Sequence, residues 1–442
     1  MLPIALADAP ELSALILGAV LLNLVVIYLA SKVGSEVCIR LGLPPVLGEL
    51  VGGVLVGVSV LHLLVFPEQD PTGQSSLIMQ FLQLTGGMAP VDRPEVFHAT
   101  NEVISLLSEL GVIILLFEVG LESDLRELVK VGVWATIVAV VGVTVPFALG
   151  TAGALLIFHV PAIPAIFAGA ALTATSIGIT SKVLSDLGQL GSREGQIILG
   201  AAIIDDILGI IVLAVVASLA KTGQVDVSNL VGLIVSSSGF LLGAILLGSL
   251  FSRVFVITTQ MLKSRGGVII PAFVFAFSMA YFAQAIHLEA ILGSFAAGLI
   301  LDETDQKNEL QHQVVPIADL LVPTFFIGVG AKTDLGVLNP SVPANQEGLV
   351  IAAFLIVVAI LGKVVTGLAV WGEPNINRLA IGVGMIPRGE VGLVFAGIGT
   401  SLGILSESLN AAIIMMVIIT TFLAPPLLRF VFAKSPNSTS TA

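Results

Sequence analysis

Two adjacent carboxylates, Asp205 and Asp206, lie inside the apolar segment AAIIDDILGIIVLAVVASLA, residues 201–220. A charged side chain inside a bilayer is costly, usually faces the interior of a helix bundle, and is by default a candidate for function. Carboxylate oxygens are hard ligands that suit a proton or a small cation such as Na⁺ or Li⁺. Because neighbours on a helix point about 100° apart, one acid can face an aqueous cavity while the other faces a neighbouring helix.

The cation placed to neutralise one of these acids is Lys363, which lies deep in the apolar segment FLIVVAILGKVVTGLAVWG. Burial disfavours the charged forms of Lys and Asp whereas pairing favours them, so a proton or a competing cation can switch such a pair. A site that holds either a proton or a cation, but not both, exchanges one for the other. The structural alternative is a salt bridge that only stabilises the fold, although apolar replacements of such pairs are often neutral or better.

The composition predicts that these residues lie in a membrane protein. Of 442 residues, 56% are hydrophobic and 11% are charged, with a mean hydropathy of +1.07, whereas soluble domains have about 25% charged residues. Apolar runs of about 20 residues, enough for a helix to cross a bilayer, recur along the chain. They predict an all-α polytopic membrane protein, one integral membrane domain with 13 transmembrane helices, near residues 11–36, 44–64, 103–121, 131–158, 162–184, 195–220, 229–259, 268–286, 288–302, 313–331, 347–371, 377–401 and 409–433.

The loop charges orient this set of helices. Most Lys and Arg fall on one side, with exceptions such as Arg93 and Lys332, and the positive-inside rule makes that side cytoplasmic. The N-terminus is then non-cytoplasmic, the C-terminus is cytoplasmic, the long loop 65–102 lies outside and the polar tail 435–442 is disordered. The net charge of −12 comes mostly from loop acids, and no basic face suggests nucleic acid as a partner. The five His residues form no triad or metal spacing, so we expect neither an enzyme nor a cofactor.

Two pairs of motifs recur seven predicted spans apart. FEVGLESDL (117–125) resembles IGVGAKTDL (327–335), and LGELVGGVL (47–55) resembles LGSFAAGLI (292–300). An odd offset inverts the second copy, and inverted-topology repeats are typical of secondary transporters, whose site lies between the repeats and is framed by interrupted helices. The alternative is that short Gly-Leu motifs recur by chance.

The same offset pairs two segments that the sequence predicts to be broken and to cross, TATSIGITS (173–181) and GMIPRGEVG (384–392). Proline removes a backbone donor and glycine tolerates unwound backbone. Irregular backbone at membrane depth survives only where protein or a water-filled cavity satisfies its polar groups. Arg388 and Glu390 would compensate the dipoles of helix ends that meet there. Two ordinary kinked helices are the alternative.

Taken together and in order, six motifs identify a family resemblance: PPVLGELVGGVLVG, LLFEVGLESDL, LTATSIGITSKVLSDLG, IIDDILGIIVLAVV, ILGSFAAGLIL and MIPRGEVGLVFAG. The chain resembles, over residues 11–433, the second branch of the monovalent cation:proton antiporters, the group of bacterial Na⁺/H⁺ antiporters with a double-Asp helix. The resemblance implies the Na⁺/H⁺ antiporter fold and a homodimer that works by elevator-like alternating access. It implies core helices near 103–220 and 313–433, dimerisation or scaffold helices near 11–64 and 268–302, and a linker helix near 229–259.

The implied activity is exchange of Na⁺ or Li⁺ for H⁺, electrogenic because two protons move per cation, for sodium and pH homeostasis. The implied location is a bacterial inner membrane, or a thylakoid membrane in a cyanobacterium. By motif, Asp206 resembles the acid that binds Na⁺ or the proton, and Asp205 resembles the acid that pairs with Lys363. Thr175 and Ser176 stand where relatives offer oxygens to the ion.

Arg388 and Glu390 match the family's Arg and Glu at the second crossing. Glu118 and Glu49 depart from the pattern, and each is either an extra titratable group on the ion path or a structural or interfacial acid. Other transporters remain open. A K⁺/H⁺ antiporter shares this core but usually continues into a nucleotide-binding domain, whereas this chain ends at Ala442. A Na⁺-coupled symporter would not need the Asp-Asp and Lys set, and a channel would need a selectivity filter that the sequence lacks.

Overall fold

The computed structural model describes residues 9–222, 224, 227–262, 264, 266–338, 343–373 and 376–433. The described residues form helices and no strand. The helices are α1 (Ala9–Arg40), α2 (Pro45–Val56), α3 (Leu77–Thr85), α4 (Arg93–Glu122), α5 (Leu125–Leu156), α6 (Ala162–Ala171), α7 (Ile177–Asp186), α8 (Arg193–Thr222), α9 (Val227–Met261), α10 (Ile269–Ala285), α11 (Ala290–Asp302), α12 (Lys307–Ala331), α13 (Pro343–Val364), α14 (Arg378–Gly384), α15 (Glu390–Ser401) and α16 (Glu407–Ala433), with 3₁₀ turns at Leu335–Leu338 and Val365–Ala369.

The all-helical fold class is confirmed, and each predicted span overlaps a helix or a pair of short helices. Seven helices in the described part of the chain, α1, α4, α5, α8, α12, α13 and α16, are long and apolar enough to cross a membrane by length and composition. Shorter apolar helices include α2, α6, α10 and α11. The number of crossings therefore stays a prediction. The predicted disordered tail, 435–442, lies outside the described residues.

The segment 65–102 is not one irregular loop, and that prediction was wrong in detail. Helix α3 forms within it, and α4 begins at Arg93, well before the predicted start of its span. The hydroxyl of Ser76 accepts a hydrogen bond from the backbone N–H of Met79 at 3.4 Å, which caps α3. A short helix between polar turns lacks the long apolar run by which we recognised the other helices, so the hydropathy pattern missed it.

The described residues divide into two compact units. The first contains α1, α2, α3, the part of α4 up to Ile114 and the segment Ile317–Gly336, and the second contains the remainder. In the second unit, α5 packs against both α8 and α13. The helix that carries the two Asp residues and the helix that carries Lys363 therefore share a neighbour. This division by compactness does not test the predicted core, scaffold and linker helices.

Equivalent glycines of the two repeats make the same close contact. A Cβ atom built on Gly53 of α2 would lie 2.9 Å from the Cα of Gly330 on α12, and one built on Gly298 of α11 would lie 2.8 Å from the Cα of Gly120 on α4. In the motif pairs, Gly53 corresponds to Gly298 and Gly330 corresponds to Gly120. Small residues allow such close backbone approach between helices in membranes. The recurrence of the motifs is therefore a structural repeat, which chance would not produce.

The two predicted breaks are also confirmed. The first separates α6 from α7 at residues 172–176, and the second separates α14 from α15 at residues 385–389. Pro387 explains the second break, because it lacks an N–H donor and disfavours helical backbone in the residue before it. The amide oxygen of Asn377 accepts a hydrogen bond from the N–H of Ala380 at 3.1 Å and so caps the start of α14. Each break leaves backbone groups of the second unit to be satisfied by other contacts.

Candidate functional site

A buried ion pair joins α8 to α13. The ammonium of Lys363 donates a hydrogen bond to Oδ2 of Asp205 at 2.9 Å, and both side chains are fully buried, with 0% exposure. The hydroxyl of Thr366 donates to the carbonyl of Lys363 at 2.6 Å, where α13 tightens into a 3₁₀ turn. The predicted pairing of Asp205 with Lys363 is thus present in the structure.

The ammonium of Lys363 lies against a glycine of α5. A Cβ atom built on Gly142 would lie 3.2 Å from Nζ of Lys363 and 3.4 Å from the methyl group of Thr366. Side chains seldom approach a neighbouring atom so closely. Gly142 therefore leaves the space in which the ammonium reaches Asp205.

The carboxyl end of α6 faces two cations. The carbonyl of Thr173 accepts a hydrogen bond from Lys363 Nζ at 2.6 Å and a longer one from the guanidinium of Arg388 at 3.5 Å. The same guanidinium nitrogen donates a short hydrogen bond to the carbonyl of Ala174. Thr173 and Ala174 follow Ala171, the last residue of α6, so their carbonyls lie in the first break, next to the negative end of the helix dipole. Lys363 and Arg388 therefore satisfy and neutralise the end of the first half-helix.

The two breaks are bonded directly to each other. The backbone N–H of Ser176 donates to the carbonyl of Pro387 at 2.9 Å, and the hydroxyl of Thr175 donates to the carbonyl of Met385 at 3.2 Å. The hydroxyl of Ser176 also accepts from the N–H of Ile179 at 3.5 Å, at the start of α7. The structure thus brings Thr175 and Ser176 to the second break.

The other predicted residues lie as follows. Asp206 is buried on α8, next to Asp205, with 4% exposure. Glu118 is half-buried on α4. Glu49 belongs to the first unit, where it is buried on α2 and accepts a hydrogen bond from the hydroxyl of Ser31 at 2.8 Å. Glu390 begins α15, and its side chain lies outside the described part of the chain.

One contact at the second break was missed by reasoning from the sequence. The hydroxyl of Thr421, on α16, donates to the carbonyl of Arg388 at 2.5 Å. The available signal was the polar pair Thr420–Thr421 in the apolar helix sequence IITTFLAPP. Ser and Thr are common within membrane helices, where they often bond their own helix, so the pair alone did not mark a site.

The arrangement collects carboxylate, carbonyl and hydroxyl oxygens beside two buried cationic groups. Asp205 supplies a carboxylate, with Asp206 next to it in sequence on α8, and the break of the first half-helix supplies the carbonyl and hydroxyl oxygens. Such oxygens are suitable ligands for a hard monovalent cation. A cation that bound them would compete with Lys363 for Asp205, so the geometry can couple cation binding to a proton.

Comparison with known proteins decides the family. The family described as "Sodium/hydrogen exchanger, transmembrane" matches residues 15–434. The chain belongs to this family. The predicted resemblance to cation:proton antiporters is confirmed, and with it the assignment as a multi-pass membrane protein.

Two relatives of this exchanger illustrate the range of the family. The chain is 61% identical over 432 residues to the high-affinity Na⁺/H⁺ antiporter NhaS3 of Synechocystis sp., covering 98% of this chain and 94% of the relative. It is 32% identical over 420 residues to the Na⁺/H⁺-K⁺ antiporter GerN of Bacillus cereus, covering 94% and 97%. Both relatives are named as antiporters.

A solved structure shows the same fold. The sodium proton antiporter MjNhaP1 of Methanocaldococcus jannaschii superposes with a TM-score of 0.62 at 16% identity, covering 96% of this chain and 100% of that structure. The predicted Na⁺/H⁺ antiporter fold is therefore confirmed for this exchanger.

Proposed function

We propose that this exchanger is an antiporter that moves Na⁺, or Li⁺, across the membrane in exchange for H⁺. The observation that carries the proposal is the fully buried Asp205–Lys363 pair, which lies next to Asp206 and shares the carbonyl of Thr173 with Arg388. The names of both antiporter relatives include Na⁺ and H⁺. The transported ions are cargo, and the proposal requires no cofactor.

In this proposal Asp206 binds either the cation or a proton. When the site is empty, Lys363 pairs with Asp205. An arriving cation takes oxygens of the carboxylates, with Thr175 and Ser176 at the first break as candidate ligands, and Lys363 loses its partner. Asp206 and Lys363 then each release one proton, so two H⁺ are exchanged for one Na⁺ and the cycle moves net charge.

Arg388 and Glu390 have supporting roles in this proposal. Arg388 holds the end of α6 so that the cation meets a fixed set of oxygens, and Glu390 compensates the dipole at the start of α15. Glu118 and Glu49 are candidates for extra titratable groups on the ion path.

The surrounding architecture is also proposed. The helices near 103–220 and 313–433 form the moving core, those near 11–64 and 268–302 form the scaffold and dimer interface, and the helix near 229–259 links them. The protein is a homodimer in a bacterial inner membrane or a thylakoid membrane.

The N-terminus of the protein is non-cytoplasmic and its C-terminus is cytoplasmic. A reporter fused at the C-terminus should therefore be active in the cytoplasm, and one inserted in 65–102 should be active outside. The reverse pattern would contradict this orientation.

The decisive experiment measures cation-driven proton movement in proteoliposomes. A pH-sensitive dye inside the vesicles should report proton movement opposite to an imposed gradient of Na⁺ or Li⁺. A response to K⁺ at similar concentrations would favour the alternative, a K⁺/H⁺ antiporter, which the name of GerN keeps open. Protons moving with Na⁺ would indicate a symporter. Conductive Na⁺ flux without proton movement would indicate a channel.

Asp206→Asn tests the ion-binding acid in the same assay. The substitution keeps the side-chain shape but removes the charge that binds either ion, so exchange should disappear while folding persists. Glu127→Gln is a matched control, because Glu127 pairs at 2.5 Å with Lys130 at an exposed position and lies outside the site. Wild-type exchange in Asp206→Asn would remove Asp206 from the mechanism.

A further inference from the structure

A side chain of helix α16 forms a hydrogen bond with the second break. The hydroxyl of Thr421 donates a hydrogen bond of 2.5 Å to the carbonyl of Arg388, and Thr421 is buried with 3% exposure. The two residues lie 33 positions apart, on either side of the turn between α15 and α16. This is a tertiary contact, unlike the usual bond of a threonine to its own helix.

The carbonyls at the end of α14 and in the second break take their hydrogen-bond donors from two elements. Those of Gly384, Met385 and Pro387 accept hydrogen bonds from Thr180, Thr175 and Ser176 of the first broken helix. The carbonyl of Arg388 accepts its bond from α16 instead. Irregular backbone at membrane depth needs such partners. Thr421 therefore ties the second break to α16.

The position of Arg388 matters for the Asp205–Lys363 pair. The Arg388 guanidinium and the Lys363 ammonium donate to the same acceptor, the carbonyl of Thr173, and Arg388 also holds the carbonyl of Ala174. A shift of the Arg388 backbone would move a buried positive charge beside the lysine and release the end of α6.

We propose that Thr421 is a positioning residue of the transport site. It fixes the backbone of Arg388, and through Arg388 it fixes the oxygens at the end of α6 that meet the cation. The inference rests on the proposed antiport at this site and adds a residue on α16 to it.

Thr421→Val tests the anchor with little change of shape. Valine removes the hydroxyl and leaves a buried carbonyl without its donor, a defect that in proteins corresponds to roughly a five- to 150-fold change in an equilibrium constant. We expect a rise of about that size in the Na⁺ concentration that gives half-maximal exchange. The maximal rate should change less, because the anchor acts on the geometry of binding. Thr421→Ser, which keeps the hydroxyl, should restore the wild-type value.

The adjacent threonine provides a matched control. Thr420 is fully buried on the same helix, but among the described residues its hydroxyl donates to carbonyls of its own helix, those of Met416 at 2.7 Å and Val417 at 3.1 Å. Thr420→Val should leave the half-maximal Na⁺ concentration unchanged. Equal effects of Thr420→Val and Thr421→Val, or failure of Thr421→Ser to restore binding, would overturn the inference. If Thr421→Val does not fold, Thr421→Ala compared with Thr421→Ser decides by the same criterion.

Hydrogen–deuterium exchange separates this inference from the proposed function. If the wild-type protein shows no Na⁺/H⁺ exchange, the antiport proposal is overturned, but the role of Thr421 in holding the Arg388 backbone is not. In that case, the backbone amides of residues 385, 386 and 388–390 should still exchange hydrogen for deuterium faster in Thr421→Val than in Thr420→Val, because the second break has lost its hydrogen bond to α16. Identical exchange of these amides in the two variants would overturn the anchor whatever the transport result.

Discussion

Breaking the Asp205–Lys363 pair from each side in turn should destabilise the protein unequally. Removing one partner of a buried pair leaves an uncompensated charge and typically costs about 3–5 kcal/mol. Here both side chains are fully buried and the N–O distance is 2.9 Å, so the upper part of that range applies. Asp205→Asn leaves two cations, Lys363 and Arg388, at the carbonyl of Thr173. Lys363→Met leaves Asp205 within electrostatic reach of Arg388. Asp205→Asn should therefore cost more.

The double variant Asp205→Asn/Lys363→Met should cost less than the sum of the two single variants, by about 2 kcal/mol or more, because residues in direct contact couple. The assay unfolds the purified protein in mixed micelles of a mild and a denaturing detergent. Unfolding is monitored by the intrinsic fluorescence of the two tryptophans. Both single variants are compared at one pH and ionic strength. Two single effects that simply add, or a larger loss in Lys363→Met than in Asp205→Asn, would refute this account of the charges.

Three further outcomes follow from particular contacts. Lys363→Arg should give a folded protein whose exchange is electroneutral or absent, since arginine cannot release a proton; normal transient currents on a solid-supported membrane would leave Lys363 only a structural role. Gly142→Ala should weaken exchange while the protein stays folded, because the new methyl group would lie 3.2 Å from the Lys363 ammonium, and unchanged Na⁺ dependence would contradict the tight fit. Partial burial raises the pKa of the Asp70 carboxyl, but hydrogen bonds from Ser75 and Thr72 outweigh it and hold the pKa well below its usual 3.8. The ionised Asp70 carboxylate therefore stabilises the segment 70–76 above pH 3.8, and this stabilisation is lost as the pH falls through the lower pKa of the folded state. Asp70→Ala should hasten proteolysis of this segment at neutral pH. Equal cleavage of the wild-type and variant proteins would contradict this.

The sequence predicted the helices of this protein for a general reason. A helix that crosses a bilayer must satisfy its backbone within about 20 residues and present apolar side chains to lipid, so its signal is local and strong. The repeats were visible because close helix contacts need glycine on both sides, as at Gly53–Gly330 and Gly120–Gly298. Helix α3 was not predicted, because it is short and lies among polar turns.

The sequence also indicated the chemistry of the site, because ionisable residues in apolar segments are rare and stand out. Asp205, Lys363 and Arg388 could each be named from local sequence. The pairing of Asp205 with Lys363 could also be predicted, but the backbone oxygens that the two cations contact could not. That Arg388 contacts the carbonyls of Thr173 and Ala174, and that Lys363 shares one of them, depends on where two broken helices meet.

The sequence by itself thus determined that this protein lies in a membrane, where its helices and internal repeats lie, and which ionisable residues the helices carry. Each of these features can be recognised from short stretches of the chain. Only the tertiary structure decided which backbone oxygens face which cations and which neutral side chains hold them in place. Thr420 and Thr421 are adjacent and chemically identical, yet one bonds its own helix and the other bonds Arg388. That difference arises from the rotation of α16 against the second break, over a distance in sequence that no local pattern spans.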